Sequence, residues 1–162
     1  MEFDELVKLI KAGESETLEF KERVSESLVK SIVAFANTKG GVILLGISKD
    51  GAIVGISEDE VEKLNSFLQN VKPKPKVRIE KVKVNGKLVV AISVKKAEKQ
   101  VVSYKNVAYV RVSSSNVPLS MDELAERMFE NLLLKFDELV SDAGMDEIAV
   151  SYTHLRAHET EA

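Results

Sequence analysis

The stretch AFANTKGGVILLGISKDG, residues 34–51, decides how the chain folds. An apolar helix end passes through Asn37-Thr38 into Gly40-Gly41. The apolar run Val42–Ile47 follows, and Lys49-Asp50-Gly51 turns the chain back. Paired glycines allow positive φ and close backbone approach. A short apolar run bounded by turn residues has the character of a buried strand. The order predicts a helix, a tight junction, a core strand and a hairpin whose return strand is Ala52–Ile56. Turns of this kind are expected to bring backbone and acidic groups close to an anionic ligand.

Upstream, Phe3, Leu6, Val7 and Ile10 fall at helical spacing and Gly13 stops that helix. Thr17–Phe20 predicts a short strand. Ser25 is placed to cap a second helix, with Leu28, Val29, Ile32, Val33, Phe35 and Ala36 on its buried face. Downstream, Ser57 and Glu60 form a capping box ahead of a helix carrying Val61, Leu64, Phe67 and Leu68. The run Lys72-Pro73-Lys74-Pro75-Lys76 then forces an extended segment. Val77 and Ile79 alternate, but Val82 and Val84 have the opposite parity, which predicts a bulge near Glu80-Lys81. Asn85-Gly86 is a hairpin turn returning through Leu88–Val94. Val101–Tyr104 and Val107–Val112 are expected to pair around Lys105-Asn106. A second capping box, Ser120 with Glu123, starts a last helix through about Leu134. The fold class is α+β: a mixed, mostly antiparallel sheet of about six strands with three to four helices, over residues 1–134.

A chain of 162 residues that is 44% hydrophobic supports one domain with a real core. It has no cysteine, which excludes disulfides and thiolate metal sites. No apolar run reaches the roughly 18 residues needed to cross a bilayer. The N-terminal residues lack a signal pattern, so a cytoplasmic location without membrane contact is expected. Charge is unevenly placed. Residues 72–111 carry 12 basic and 2 acidic groups, whereas 1–71 carry 8 and 13, and 112–162 carry 3 and 11. A basic middle in an acidic chain is a candidate electrostatic footprint for nucleic acid; outward-facing lysines that protect strand edges are the alternative.

Residues 135–149 predict a linker or the start of a next domain. Residues 150–160, VSYTHLRAHET, resemble the in-frame translation of a sequencing-library adapter. Residues 150–162 are therefore expected to be an artefactual tail, and the parent protein to continue into a C-terminal domain. His154 and His158, both inside that tail, receive no function.

Three stretches carry chemistry. In GESETLEFKE (13–22), Glu14 and Glu19 are candidate ligands for Mg²⁺ or Mn²⁺, with Lys21 on the same strand face as Glu19. Solvated glutamates and a Glu19–Lys21 pair are the alternative. In the opening stretch, Asn37 and Thr38 offer amide and hydroxyl groups at the helix end, with a plain C-cap followed by a core strand as the alternative. In KKAEKQVVSYKNVAYVRVSSSN (95–116), Lys95, Lys96, Lys99, Lys105 and Arg111 interleave with Tyr104 and Tyr109, and Ser114 and Asn116 follow. Cations would neutralise phosphates, tyrosines would stack on bases, and small polar groups would fix the backbone. An amphipathic hairpin with snorkelling lysines is the alternative.

Taken in order, ESETLEFKE, VAFANTKGGVILLGISKDGAIVGI and YKNVAYVRVSSSN resemble the Schlafen-type AlbA-like domain over roughly residues 3–133. The resemblance implies a mixed α/β module that contacts DNA or RNA at the N-terminus of a longer transcriptional regulator or helicase-like protein. Lys21, Lys39, Lys95, Lys96, Lys99, Tyr104, Lys105, Tyr109, Arg111, Ser114 and Asn116 are its expected contact set. In some animal Schlafen proteins the domain is a metal-dependent endoribonuclease built on two glutamates and an aspartate. Glu14 and Glu19 match the glutamates, while Ser48 and Lys49 fill the aspartate's slots and Asp50 is displaced into the turn. The expected function is nucleic-acid binding. A nuclease using Glu14, Glu19 and Asp50, and a module for oligomerisation (a homodimer) or ligand sensing, are the alternatives.

Overall fold

The computed structural model describes residues 1–143. The expected tail over 150–162 lies outside the described residues. Four helices, α1 (Phe3–Ala12), α2 (Glu26–Ala36), α3 (Glu58–Leu68) and α4 (Met121–Ala143), accompany eight short strands. Strands β1 (Leu18–Lys21), β2 (Gly41–Leu45), β4 (Val77–Val84) and β5 (Lys87–Val94) form one sheet in the order β1-β2-β5-β4. Within that sheet only the β1–β2 pair is parallel. Strand β3 (Val71–Lys72) pairs with β6 (Ser103–Tyr104), and β7 (Tyr109–Val112) with β8 (Ser115–Pro118). The α+β class and the mixed, mostly antiparallel pairing are as expected. Among the described residues no helix is long and apolar enough to cross a membrane.

The sheet is covered on both faces. Helices α2 and α3 bury Leu28, Ile32, Phe35 and Leu64 against Ile43, Leu45, Val90 and Ile92. On the other face Leu6 of α1 packs with Leu18, Phe20, Leu44 and Val89. This double cover explains why β2 and β5 are apolar without alternation. It also corrects the expected bulge. The β4–β5 register is unbroken from Val77↔Val94 to Val84↔Lys87. Val77 and Ile79 pack on the α2 face, and Val82 and Val84 on the α1 face, so the parity change records a change of covering layer.

Gly40 and Gly41 are required by what lies beside β2. A Cβ on Gly40 would sit 2.6 Å from the Val94 carbonyl oxygen, and one on Gly41 would sit 2.4 Å from that of Thr17. The glycine pair lets β2 enter between β5 and the turn before β1. With both edges of β2 occupied, Ala52–Ile56 has no edge to pair with. The expected return strand is reduced to bridges, Ile47↔Ile53 and Ile56↔Leu88.

Further differences have local causes. Glu60 does not reach back to its own cap; its Oε2 accepts from the Val24 amide at 3.1 Å and ties α3 to the start of α2. The expected pairing of Val101–Tyr104 with Val107–Val112 survives only as the bridge Tyr104↔Val107. Beyond it the chain is diverted, because β7 finds its partner in β8. Helix α4 does not end near Leu134 but continues to Ala143, through the first part of the expected linker.

Candidate functional site

Leu18 and Phe20 take the α1 face of β1, so Glu19 projects onto the α2 face. There its Oε1 lies 3.3 Å from Nη1 of Arg111, which β7 supplies and whose side chain has no solvent exposure. Arg111 also donates to Asn116 Oδ1 at 2.9 Å and to the Ser15 carbonyl at 3.0 Å. Its guanidinium lies 4.8 Å from the Phe35 ring centroid. Asn116 donates onward to Ser31 Oγ at 2.7 Å. Lys21 stands 3.9 Å from Glu19 and donates to Ser27 Oγ at 2.6 Å. This seam joins β1, α2 and the β7–β8 hairpin. Two opposite charges taken from water are tolerated there because they pair with each other, with Arg111 hydrogen-bonded through Nη1 and Nη2, while Glu19 Oε2 and Arg111 Nε are buried without a hydrogen-bond partner among the described residues.

Arg111 as a phosphate contact is therefore corrected: it is buried and committed to Glu19. Asn116 is likewise half-buried in the seam rather than free at the surface. The expected acidic cluster is not assembled. Glu14 Oε1 accepts from the Phe20 amide at 3.0 Å, closing the outer edge of β1. Asp50 is exposed in a turn whose Gly51 lies against Ile10 of α1, across the sheet from Glu19. Among the described residues no group of three or more His, Cys, Asp or Glu side chains could hold a metal ion. The expected Mg²⁺ or Mn²⁺ ligands thus serve Arg111 and a strand edge.

Some of the remaining cations are paired; Lys8, Lys11, Arg23, Lys30, Lys49, Lys63, Lys83 and Lys87 have no carboxylate partner among the described residues, so clustering rather than pairing alone marks a patch. Lys39 pairs with Glu16 at 3.2 Å, Arg78 with Glu80 at 2.8 Å and Lys81 with Glu58 at 2.8 Å. Lys99 pairs with Glu138 and Lys105 with Glu26. Lys72, Lys74, Lys76, Lys95 and Lys96 have no carboxylate partner among the described residues, and all five are exposed. Lys74, Lys76, Lys95 and Lys96 gather at one end of the β4–β5 ladder, where the Lys95 amide donates to the Lys76 carbonyl at 3.0 Å, and Lys72 ends β3 just before them. Lys74, Lys76, Lys95, Lys96 and Lys99 line a concavity against Ala36, the last residue of α2. Lys39 adjoins it, sharing the neighbouring recess with Lys96.

Lys105 belongs elsewhere. Its partner Glu26 begins α2, whereas the lysine concavity meets the helix's far end. Eleven helical residues separate the two by about 16 Å. The single basic surface expected from residues 95–111 is therefore divided. Lys105 holds Glu26 below the ordinary carboxylate range, with help from the Tyr104 hydroxyl. Glu26 in turn raises the Lys105 ammonium. Burial, then Glu26, raises the Tyr104 phenol. Tyr104 is buried and so offers no stacking face; Tyr109 is half-buried, with Lys30 Nζ 5.6 Å from its ring centroid. Ser114 is exposed in the β7–β8 turn. Sequence reasoning missed Lys72, Lys74 and Lys76 as site residues. The sequence signal for them was the Lys-Pro alternation of residues 72–76, which sets a cation at every second position.

Residues 14–120 match the family model described as Schlafen, AlbA_2. The fold recurs in solved structures. The DIP2311 protein from Corynebacterium diphtheriae superposes with a TM-score of 0.55 at 21% identity, covering 76% of this chain and 28% of that one. The N-terminal domain of a RecG-related protein from Nitrosomonas europaea superposes with a TM-score of 0.50 at 19% identity, covering 72% of this chain and 90% of that one. The chain thus spans under a third of the Corynebacterium protein. No curated protein matches it.

Proposed function

The chain belongs to the Schlafen, AlbA_2 family, and on that premise we propose that it is a nucleic-acid-binding module, with DNA as its ligand. It grips the phosphate backbone with Lys72, Lys74, Lys76, Lys95 and Lys96. The observation that carries this reading is that four lysines without a carboxylate partner, Lys74, Lys76, Lys95 and Lys96, line one concavity with Glu98 as its only acid, inside a chain of formal charge −3, while Lys72 precedes Pro73 at its margin. A cation already paired gains little from a phosphate, because it must first give up its carboxylate; an unpaired one releases condensed counterions from the strand directly. Lys39 and Lys99 stand at the margin of the patch and reinforce it if their carboxylates yield. The Nitrosomonas relative is related by name to an ATP-dependent DNA helicase, which favours a role as one module of a longer, cytoplasmic DNA-acting protein.

No stacking face stands among the five lysines, so binding should follow the backbone, with little sequence preference and strong salt dependence. Fluorescence anisotropy with labelled duplex DNA across a salt series tests it. Lys95→Glu with Lys96→Glu is expected to weaken binding at least about tenfold and to reduce the salt slope by about 2. Unchanged affinity at low salt would refute the assignment. Lys105→Glu should have the smaller effect, since Lys105 lies at the other end of α2.

A further inference from the structure

Helix α4 brings acid to the edge of the lysine concavity. Its 23 residues carry seven acidic side chains and two basic ones. Through Asp142 none of its side chains is buried. Apolar contact with the body is confined to shallow recesses, such as that of Leu132 beside Pro73 and Val101. A helix so placed leans on its polar ties. Among the described residues these are Arg127, whose Nη1 donates to the Asn37 carbonyl at 2.6 Å, and Glu138, which pairs with Lys99. Lys99 itself lines the concavity. The Lys99 side chain is 27% exposed, against 50% to 80% for Lys39, Arg78, Lys81 and Lys105 in their pairs. A sheltered ammonium is screened less by water and salt, so it holds its carboxylate more firmly than an open one does. Glu138 is 59% exposed and stays mostly hydrated, so it is not stranded when it leaves.

We infer that Glu138 is a built-in competitor of the concavity's ligand: it occupies Lys99 in the free protein and gives way when a phosphate arrives. This rests on the reading of the concavity as a phosphate-backbone site and adds how that site is regulated. Carboxylate and phosphate are both oxygen anions and bid for the same ammonium donors. Lys99 is the one cation of the concavity that already has a carboxylate on it among the described residues. Displacing Glu138 adds Lys99 to the available row of Lys74, Lys76, Lys95 and Lys96. Because the pair must break first, the apparent affinity is lowered by the strength of that pair. Helix α4 thereby sets the threshold at which the concavity fills.

Anisotropy with labelled duplex DNA and calorimetry with inorganic tripolyphosphate, both on the full chain at low salt, test it. Glu138→Gln should tighten binding about threefold. Asp137→Asn removes the same charge one residue away and should change binding by less than about 1.5-fold. In a Lys99→Met background the gain from Glu138→Gln should vanish. All three side chains lie outside the core, so circular dichroism should be unchanged. Unaltered affinity on Glu138→Gln overturns the inference and leaves DNA binding standing. So does a gain that Asp137→Asn matches or that survives the loss of Lys99, since either reduces the effect to net charge. A gain on tripolyphosphate with no DNA binding upholds the competition and refutes DNA as the ligand; a gain on DNA alone upholds both. A chain that binds neither probe overturns both.

Discussion

The seam around Arg111 and the concavity around Lys95 come from the same basic third of the sequence and have opposite fates. In the seam, one guanidinium is buried and partnered by a carboxylate, an amide oxygen and a backbone carbonyl. In the concavity, the ammonium groups of Lys74, Lys76, Lys95 and Lys96 stand exposed without a carboxylate partner among the described residues. A cation contributes to an external field only to the extent that the fold leaves it unpaired. The seam is therefore an element of stability and the concavity an element of recognition, and substitutions should separate the two.

The largest effect is expected in the seam. Arg111→Ala leaves Glu19 buried without its partner and should cost about 3–5 kcal/mol of folding free energy, read from urea unfolding. Replacing Glu19 by Gln and Arg111 by Met together should cost less than the two single losses added, because no charge is stranded. Additive costs would show that the two groups act independently. Next, Gly41→Ala should destabilise by more than about 1 kcal/mol, since a Cβ there meets the Thr17 carbonyl at 2.4 Å with φ at 149°. A stable variant would mean that β1 shifts at no cost.

The concavity should behave in the opposite way. Lys95→Glu with Lys96→Glu should leave unfolding within about 0.5 kcal/mol of wild type, while DNA affinity falls as stated above. A large stability loss would erase the distinction between the regions. The smallest effect is expected at Glu26, an exposed carboxylate held by Lys105. Its folded pKa lies below its unfolded one, so its contribution is complete above the unfolded value and fades as pH falls through the folded value. Lys105→Met should raise the Glu26 midpoint toward the ordinary 4.5, followed by NMR of the carboxyl carbon. An unmoved midpoint would give the shift to Tyr104 alone.

Helices α1 to α3 and the β4–β5 hairpin were legible because their signals are local: apolar spacing, capping residues and Asn85-Gly86. Less legible were elements whose partners lie far along the chain. Ala52–Ile56 has strand-like composition but finds both edges of β2 taken. Val107–Val112 pairs forward with β8 instead of back around Lys105-Asn106. In the candidate site, Lys95 and Lys96 were identified from sequence as exposed basic residues. Lys74 and Lys76 were overlooked because their nearness to Lys95 depends on the β4–β5 register.

By itself the sequence determined the fold class, most of the elements and the place of the positive charge, since side-chain chemistry and its periodicity along the chain fix these. Which charges remain available was decided only by tertiary structure. Glu19 and Arg111 are separated by 92 positions, and only the stacking of α2 and the β7–β8 hairpin over β1 brings them within 3.3 Å. Electrostatic pairing depends on distance in space and on exclusion of water, neither of which is written in the order of residues.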